Sequence, residues 1–415
     1  MLLQVQRTSV WLGAAVLLLA AACVSQTNRC FPDETPEPPN PRFPQGVEDF
    51  GMAMFKSMAS LKEGSLFVSP YSLWSVLTLA YFGSEGRTRH QLEEALNLRS
   101  KTGTFTNWNA LKFLLQGNSQ TQTVAGAKFN SLNRAYFATN LILQRCLTNI
   151  LFDLRRVDFT RGDTAKNIIN DDVHVTTEGK ISNFLDFIPP QTQLVLINAV
   201  YFKGLWATPF NPKDTRRQEF LIPPGKSGGV VDMMVQTGFF KHGYAPSLNA
   251  SIVELPYQDT NTSMFVILPD TLDTDRVLQL LDRTTFQEAV SQMTRKKVEV
   301  VLPRFKLTTR VESELKTALS LLGITDLFDA RTANLTAFSA TETLYADKAI
   351  HEATVEVTEE GTVAAAASGI LVTRFGGNLV NFVCNRPFVF LITDKNTGIT
   401  LFAGKLVHPA DIETL

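Results

Sequence analysis

The stretch of sequence that decides the fold runs from residue 359 to residue 377 and reads EEGTVAAAASGILVTRFGG. It lies between two segments with the composition of strands, Ala353 to Val357 and Pro387 to Thr393. Its run of alanines favours a helix, but so short a segment cannot hold an isolated helix in water because nucleation is costly. Glycines near both ends favour an extended loop, and loops of this length are usually functional or disordered. Because the Thr, Ala and Ser side chains are small, we interpret the stretch as a loop that can become a strand inside an existing sheet.

The stretch resembles the reactive-centre loop and hinge of the serpins, the serine protease inhibitor family. The family pattern is an acidic residue, any residue, Gly, Thr or Ser, any residue, and then a run of alanines. The residues that fit the pattern are Glu359, Gly361, Thr362, Ala364, Ala365, Ala366 and Ala367. Val363 departs from it, since many inhibitory members carry Glu there. We expect this position to face solvent after insertion, so the departure is minor.

The resemblance extends without a gap from Val47 to Pro409. The segments that carry it are SLFVSPYSLWSVLTLAYFGSEG from residue 65, VLINAVYFKGLWATPFNPKDTRRQEF from 195, LGITDLFDARTANLTAFS from 322, FVCNRPFVFLIT from 382 and TLFAGKLVHP from 400. It implies an α+β, single-domain fold with three β-sheets, about eight or nine helices and an exposed reactive-centre loop at about 359–380. Two features can be predicted from the residues alone. The apolar run 195–202 is typical of a buried central strand, and Ser69 should cap a helix that has Pro70 at its first position.

Length and composition exclude several classes of protein. The chain has 415 residues, a formal net charge of −1 and 44% hydrophobic residues. A near-neutral balance of interspersed charges gives no reason to expect nucleic acid as a partner. The apolar content is ordinary for a globular protein with a substantial core. Since no internal linker separates parts of the chain, we expect one large domain.

The N-terminus has the pattern of a targeting segment. Arg7 precedes an apolar run from Val10 to Ala22, which is too short to span a bilayer but suits a signal peptide, with cleavage after Ala22 or Ser25. A lipoprotein with Cys23 as the lipidated residue fits less well. We therefore predict a signal peptide over residues 1–25, an exposed Pro-rich leader over 26–46 and the inhibitor domain over 47–409. The protein is predicted to be secreted and extracellular, and no other apolar stretch is long enough to cross a membrane.

Four cysteines occur, at positions 23, 30, 146 and 384. If Cys23 leaves with the signal, three remain, and an odd count allows one pair at most. Buried free thiols are the simpler interpretation for Cys146 and Cys384. With no Cys-x-x-Cys and no His-Cys cluster, neither a zinc site nor another metal or cofactor is expected. Three Asn-x-Ser/Thr sequons predict glycosylation at Asn249, Asn261 and Asn334.

Nothing in the sequence points to an enzyme. The chain has no Gly-x-Ser-x-Gly elbow and no His-Glu-x-x-His helix, and its five histidines are scattered. The resemblance implies a suicide substrate, which traps a serine protease as an acyl-enzyme when the cut loop inserts into the central sheet. Family spacing from Gly361 places the cut between Phe375 and Gly376, which implies a chymotrypsin-like target. The alternative is a cut between Arg374 and Phe375, which implies a trypsin-like one.

The resemblance also assigns residues that control opening of the sheet. These are Ser69, Ser72, Asn198 and His351, a polar cluster below the opening point, and Trp206, where the loop first enters. Each has a purely structural alternative: Ser69 as a helix cap, Asn198 and His351 as satisfied core polar groups, and Trp206 as core packing. Glu359 is expected to pair with Arg304 at the top of the sheet.

The expected partner is a serine protease, and the chain is expected to act as a monomer. Only Lys101 and Lys112 lie in the region that is basic in glycosaminoglycan-activated serpins, so no strong heparin site is expected. One alternative is a non-inhibitory serpin with a carrier, storage or chaperone role; such members commonly have bulky, charged or proline residues in the hinge, which this chain lacks. A weaker alternative is cell adhesion through Arg161-Gly162-Asp163, which is more simply a solvated turn before a helix.

Overall fold

The computed structural model describes residues 30–35, 37–116, 127–258, 261–360 and 379–413. Helices and strands both contribute, as the predicted α+β class requires. The α-helices within these ranges are α1 (Phe43–Leu61), α2 (Pro70–Gly83), α3 (Gly86–Leu96), α4 (Lys101–Gln116), α5 (Arg145–Ile150), α6 (Gly162–Thr176), α7 (Asp275–Leu280), α8 (Arg283–Ser291) and α9 (Ser313–Leu321).

Strands make up most of the remaining regular structure. They are β1 (Leu66–Val68), β2 (Ala127–Ala138), β3 (Leu154–Val157), β4 (Leu194–Gly204), β5 (Arg216–Ile222), β6 (Lys226–Ala245), β7 (Ala250–Pro256), β8 (Thr262–Pro269), β9 (Thr294–Pro303), β10 (Phe305–Val311), β11 (Lys348–Val357), β12 (Val380–Val383), β13 (Phe388–Asp394) and β14 (Ile399–Leu406).

The described strands hydrogen-bond into two sheets. The larger has the order β1-β14-β13-β8-β7-β6-β9-β12, with β5 paired to β6, and the smaller has the order β10-β11-β4-β2-β3. The 20-residue strand β6 pairs with β5 near its start, with β9 along its middle and with β7 at its end. Two of the three predicted sheets are therefore continuous through this one strand.

Helix α2 lies in the centre of the core. All 14 of its residues are buried, since its sequence is apolar on every face. The side chain of Ser69 accepts a hydrogen bond from the Ser72 N–H, and Pro70 occupies the first turn, where its missing N–H costs nothing. Both features of this helix start were predicted from the sequence and are confirmed.

The segment before α1 is exposed over most of its described length, but its first residues are anchored to the core. Cys30 forms a disulfide with Cys146 at the start of α5, with 5.4 Å between the two Cα atoms. Phe31 is buried and stacks on Phe82 of α2. The expectation of a free thiol at Cys146 is therefore wrong, because a docked aromatic side chain brings two distant cysteines together. Cys384 is free and buried, as expected.

The smaller sheet positions the candidate site. Its strand β4 is buried along almost its whole length, which confirms the central strand predicted from the apolar run. Strand β4 pairs antiparallel with β2 but parallel with β11. We call the β4–β11 contact the seam; it runs from Lys348 opposite Val195 to Val355 opposite Phe202. Strand β11 leads directly into the stretch from residue 359 to residue 377.

Candidate functional site

A chain of hydrogen bonds crosses the seam in the buried sheet. His351 on β11 and Asn198 on β4 are register partners, as are Asn198 and Asn133 on β2. The Ser69 N–H donates to His351 Nε2 at 3.2 Å. His351 Nδ1 bonds to Asn198 Oδ1, and Asn198 Nδ2 donates to Asn133 Oδ1. We call Ser69, His351, Asn198 and Asn133 the polar chain.

The polar chain fixes the protonation state of His351. Because Nε2 accepts from Ser69, the ring proton lies on Nδ1 and is donated to Asn198, so the imidazole is neutral. The ring is fully buried, and burial lowers its pKa from 6.5 to about 3. A proton added to His351 Nε2 would also point at the Ser69 N–H from which Nε2 now accepts a hydrogen bond. The neutral form is therefore part of the closed sheet.

The two serines contribute differently. Ser69 Oγ caps α2 and donates to the carbonyl oxygen of Leu401 at 2.7 Å, so it joins α2 to β14. Ser72 takes part in the helix cap through its backbone N–H, which donates to Ser69 Oγ. Its buried hydroxyl has no hydrogen-bond partner among the residues that the structure describes. Ser69 is therefore a helix cap and a member of the polar chain, while Ser72 lies beside the polar chain without extending it.

Trp206 lies apart from the polar chain, just past the end of β4. It is 3% exposed and stacks on Tyr257, with 4.7 Å between ring centroids. Gly204 permits this packing, because a Cβ at that position would come within 2.4 Å of the Tyr257 ring. The indole Nε1 donates to the carbonyl oxygen of Thr358, just past the end of β11, at 2.8 Å. Trp206 therefore closes the seam at the end from which the candidate loop leaves.

Glu359 is held at the same end of the seam. Its side chain is only 7% exposed and accepts from Thr215 Oγ1 at 2.8 Å. Arg304 lies 3.6 Å from the Glu359 carboxylate, as expected from the sequence, and also 3.6 Å from Asp232. The Phe210 N–H donates to the Glu359 carbonyl at 2.9 Å. Backbone and side chain both anchor Glu359, the first residue of the predicted hinge.

Sequence reasoning missed Asn133 and Thr215. Asn133 is a buried polar residue next to Arg134 in the strand segment LNRAYF, and this polar interruption between apolar residues was the available signal. Thr215 has no comparable signal, since it lies in a polar connection. Its contact with Glu359 depends on two segments 144 residues apart in the chain.

Several predicted residues lie outside the described ranges. They are the hinge residues Gly361, Thr362, Val363, Ala364, Ala365, Ala366 and Ala367 and the candidate cleavage residues Arg374, Phe375 and Gly376. What the described structure gives is the two ends of this segment, Glu360 after β11 and Leu379 before β12.

The remaining predicted positions lie away from the seam. The sequon residues Asn249 and Asn334 are half-buried and Asn261 is exposed, and their glycosylation stays a prediction. Arg161 and Asp163 are exposed at the start of α6, where they pair with Asp158 and Lys166. Within the described part of the chain, no group of acidic, His or Cys residues could hold a metal ion. No described helix is long and apolar enough to cross a bilayer.

Comparison with known protein families identifies the architecture. The family model described as serpin (serine protease inhibitor) matches residues 45–409. The chain belongs to the serpin family. A solved structure titled as a tumour suppressing serpin superposes with a TM-score of 0.79, covering 89% of this chain and all of that one, at 23% identity. At that identity the likeness shows the fold, and the predicted fold class is confirmed.

Curated relatives agree with an inhibitor. Human Serpin B11 is 32% identical over 388 residues, covering 87% of this serpin and 98% of the relative. The leukocyte elastase inhibitor of Sus scrofa is 32% identical over 374 residues, covering 87% and 97%. Relatives of this serpin are thus named as protease inhibitors rather than enzymes, in agreement with the sequence analysis.

The comparisons contradict the predicted location. A relative from Tachypleus tridentatus, 32% identical over 367 residues and matched by 86% of this serpin, is named Intracellular coagulation inhibitor 1. The prediction of a secreted, extracellular protein is therefore wrong. It rested on the apolar run Val10 to Ala22, and a run of that length occurs in buried helices as well as in signal peptides. The run alone could not decide between the two.

Proposed function

We propose that this serpin inhibits a serine protease of chymotrypsin-like or trypsin-like specificity as a suicide substrate. The protease serine attacks the Phe375 carbonyl carbon, the bond to Gly376 breaks, and the Gly376 amine leaves with a proton. The segment after Glu360 then enters the seam as a new strand, carrying the esterified protease with it. The observation that carries this proposal is the parallel contact between β4 and β11, since β11 continues directly into the loop.

Strand topology gives the insertion its driving force. A segment that turns back after β11 runs antiparallel to both β11 and β4. It would replace one parallel ladder with two antiparallel ladders, which are slightly more stable per residue. The hinge residues Gly361 to Ala367 have small side chains, so burying them between two strands meets little steric resistance.

The first test is incubation of the protein with chymotrypsin and, separately, with trypsin. We expect a complex with one enzyme that survives SDS, together with a released C-terminal peptide. Mass spectrometry of that peptide decides the cleaved bond, because it begins at Gly376 for the first assignment and at Phe375 for the alternative. Cleavage by both enzymes without any stable complex would contradict the proposal.

The hinge assignment has its own test. Thr362→Arg should turn the inhibitor into a substrate, because a buried, unpaired guanidinium would stall insertion. Thr362→Ser is the matched control and should leave the yield of complex unchanged. An unaltered yield for Thr362→Arg would refute the assignment of this residue to the inserting strand.

A carrier, storage or chaperone role is the alternative. Thermal melting of the protein nicked in the loop separates the two functions. An inserting loop adds a strand to the sheet, so the nicked form should melt well above the intact form. Equal melting temperatures would favour the non-inhibitory alternative. The same preparation, run on a sizing column, tests the proposed monomer.

A further inference from the structure

Two cross-strand pairs form a basic and aromatic face on the larger sheet. Strands β6 and β9 are antiparallel, with Phe239 opposite Lys297 and Lys241 opposite Arg295. All four side chains are exposed, Phe239 by 46%. The Arg295 guanidinium carbon lies 5.8 Å from the centre of the Phe239 ring, so the diagonal neighbours of this quartet are in contact. We call these four residues the basic face.

The charges of the basic face are only partly balanced. Lys241 lies 3.4 Å from Glu254, which itself accepts from Lys395. Neither Arg295 nor Lys297 has an ion pair with any residue in the described ranges. A solvated row of charges would be the ordinary explanation of a lysine-rich strand. An exposed phenyl ring under an arginine is a different composition, because aromatic residues and Arg are the types enriched in protein interfaces.

The position of the basic face connects it to the reactive-centre loop. Strand β12 pairs in parallel with β9, with Val380 opposite Val298. Because the two strands run in the same direction, the chain reaches β12 from the side of Lys297 and Arg295. The proposed cleavage residue Gly376 precedes Leu379 by three positions, a span of at most about 10 Å. A protease of about 230 residues has a radius of gyration of about 17 Å, so an enzyme bound at the cleavage residue is large enough to reach the basic face.

We propose that the basic face is an exosite for the target protease, that is, a contact site outside the active-site cleft. The exosite would select enzymes with an acidic rim, by which we mean clustered carboxylates beside the part of the cleft that binds the residues after the cut. This inference rests on the proposed inhibitory function. Arg295 and Lys297 would attract the acidic rim during encounter, and Phe239 would pack against it in the complex.

The double variant Arg295→Gln/Lys297→Gln tests the exosite, with Arg42→Gln/Arg145→Gln as the control of equal charge. Arg42 and Arg145 are exposed at the starts of α1 and α5, away from the basic face. The measurement is the second-order rate constant of inhibition for chymotrypsin-like and trypsin-like proteases sorted by the charge of the cleft rim. For acidic rims we expect the double variant to be about tenfold slower at low salt, within the range of electrostatic steering.

Salt dependence and a third variant sharpen the test. The deficit of the double variant should disappear at about 0.5 M NaCl, because the Debye length is then only a few ångströms. Phe239→Ala should slow inhibition at low and high salt alike, since packing is not screened. The control variant should match the wild type throughout, as should all variants against enzymes with neutral or basic rims.

The outcomes separate this inference from the function on which it rests. If the double variant and the control have equal rates and equal salt slopes while SDS-stable complexes still form, the exosite is refuted and the inhibitory function stands. If the wild type forms no such complex with any enzyme, both proposals fail. If heparin accelerates inhibition only when Arg295 and Lys297 are present, and rates without heparin are equal, the face binds polysaccharide and the protease exosite is refuted.

Discussion

Two buried titratable groups should give the unfolding free energy opposite dependences on pH. Glu48 of α1 is 3% exposed and accepts from the N–H of Thr400 at 2.5 Å and from its hydroxyl at 2.7 Å. Burial raises the pKa of Glu48 from 4.5 to about 7, against the effect of these bonds. Burial lowers the pKa of His351 from 6.5 to about 3. Burial disfavours the loss of a proton from Glu48 and the gain of a proton by His351. The contributions of the two groups to the unfolding free energy therefore change in opposite directions with pH.

The magnitudes follow from the two pairs of pKa values. Glu48 binds its proton more tightly in the folded state, so its favourable contribution is complete below pH 4.5 and is lost as the pH rises through 7. Between pH 5 and pH 7 that loss is about 2 kcal/mol. His351 binds its proton more tightly in the unfolded state, so its contribution is complete above pH 6.5 and falls on acidification. Between pH 7 and pH 5 that loss is also about 2 kcal/mol, so the two groups nearly cancel.

Single variants of Glu48 and His351 should reveal the pH dependence that each residue gives to the unfolding free energy. Urea unfolding from pH 5 to pH 7 gives the free energy of each variant minus that of the wild type, which removes all other titrating groups. On going from pH 7 to pH 5 this difference should fall by about 2 kcal/mol for Glu48→Gln and rise by about 2 kcal/mol for His351→Gln. The exposed residues Glu63 and His90 supply the matched controls Glu63→Gln and His90→Gln. Differences that do not change with pH for Glu48→Gln and His351→Gln would refute the argument that burial sets both pKa values.

Three further predictions concern the ends of the seam and the docked leader. Arg304→Gln removes the cation beside Glu359 and should lower the barrier to spontaneous loop insertion by about 1 kcal/mol, seen as an about fivefold faster loss of inhibitory activity on standing; an unchanged half-life would contradict it. Cys30→Ser removes the disulfide to Cys146, which closes a loop over a separation of 116 residues, and should lower the free energy of unfolding in urea by about 4–5 kcal/mol. Retention of the wild-type midpoint would show that packing alone holds the leader. Trp206→Phe keeps the ring but loses one hydrogen bond across the seam, so it should cost about 1 kcal/mol and should not change the cleaved bond found by mass spectrometry.

The features predicted correctly from the sequence are those set by local physics. A continuous apolar run identifies β4 because a strand buried on both faces needs no polar alternation. The start of α2 follows from Ser69 and Pro70, whose cap and restricted φ act within one turn. The pairing of Glu359 with Arg304 was expected only through the family resemblance. Nothing local in either residue indicates the other.

The features that were missed depend on contacts between distant parts of the chain. Most of the Pro-rich leader is exposed, but the docking of Phe31 against α2 and the disulfide of Cys30 were not foreseen. Pairing across 116 residues leaves no mark in local composition. Trp206 was expected where the loop first enters the sheet, but its bond to the carbonyl of Thr358 was not foreseen. Sequence patterns identify polar residues within a core more readily than they identify their partners.

Side-chain bonds cross the seam at several points, and under the proposed function they would keep the sheet closed until a strand enters. The His351–Asn198 bond joins β11 to β4, and the bond from Trp206 to Thr358 joins the chain just past their ends. Any strand that enters between β4 and β11 must break both. Each bond contributes only about 1 kcal/mol net, but breaking it before the new ladder forms leaves buried groups without partners, at about 1–3 kcal/mol each. The cost therefore falls mainly on the transition state of insertion, so the closed form would persist for kinetic reasons.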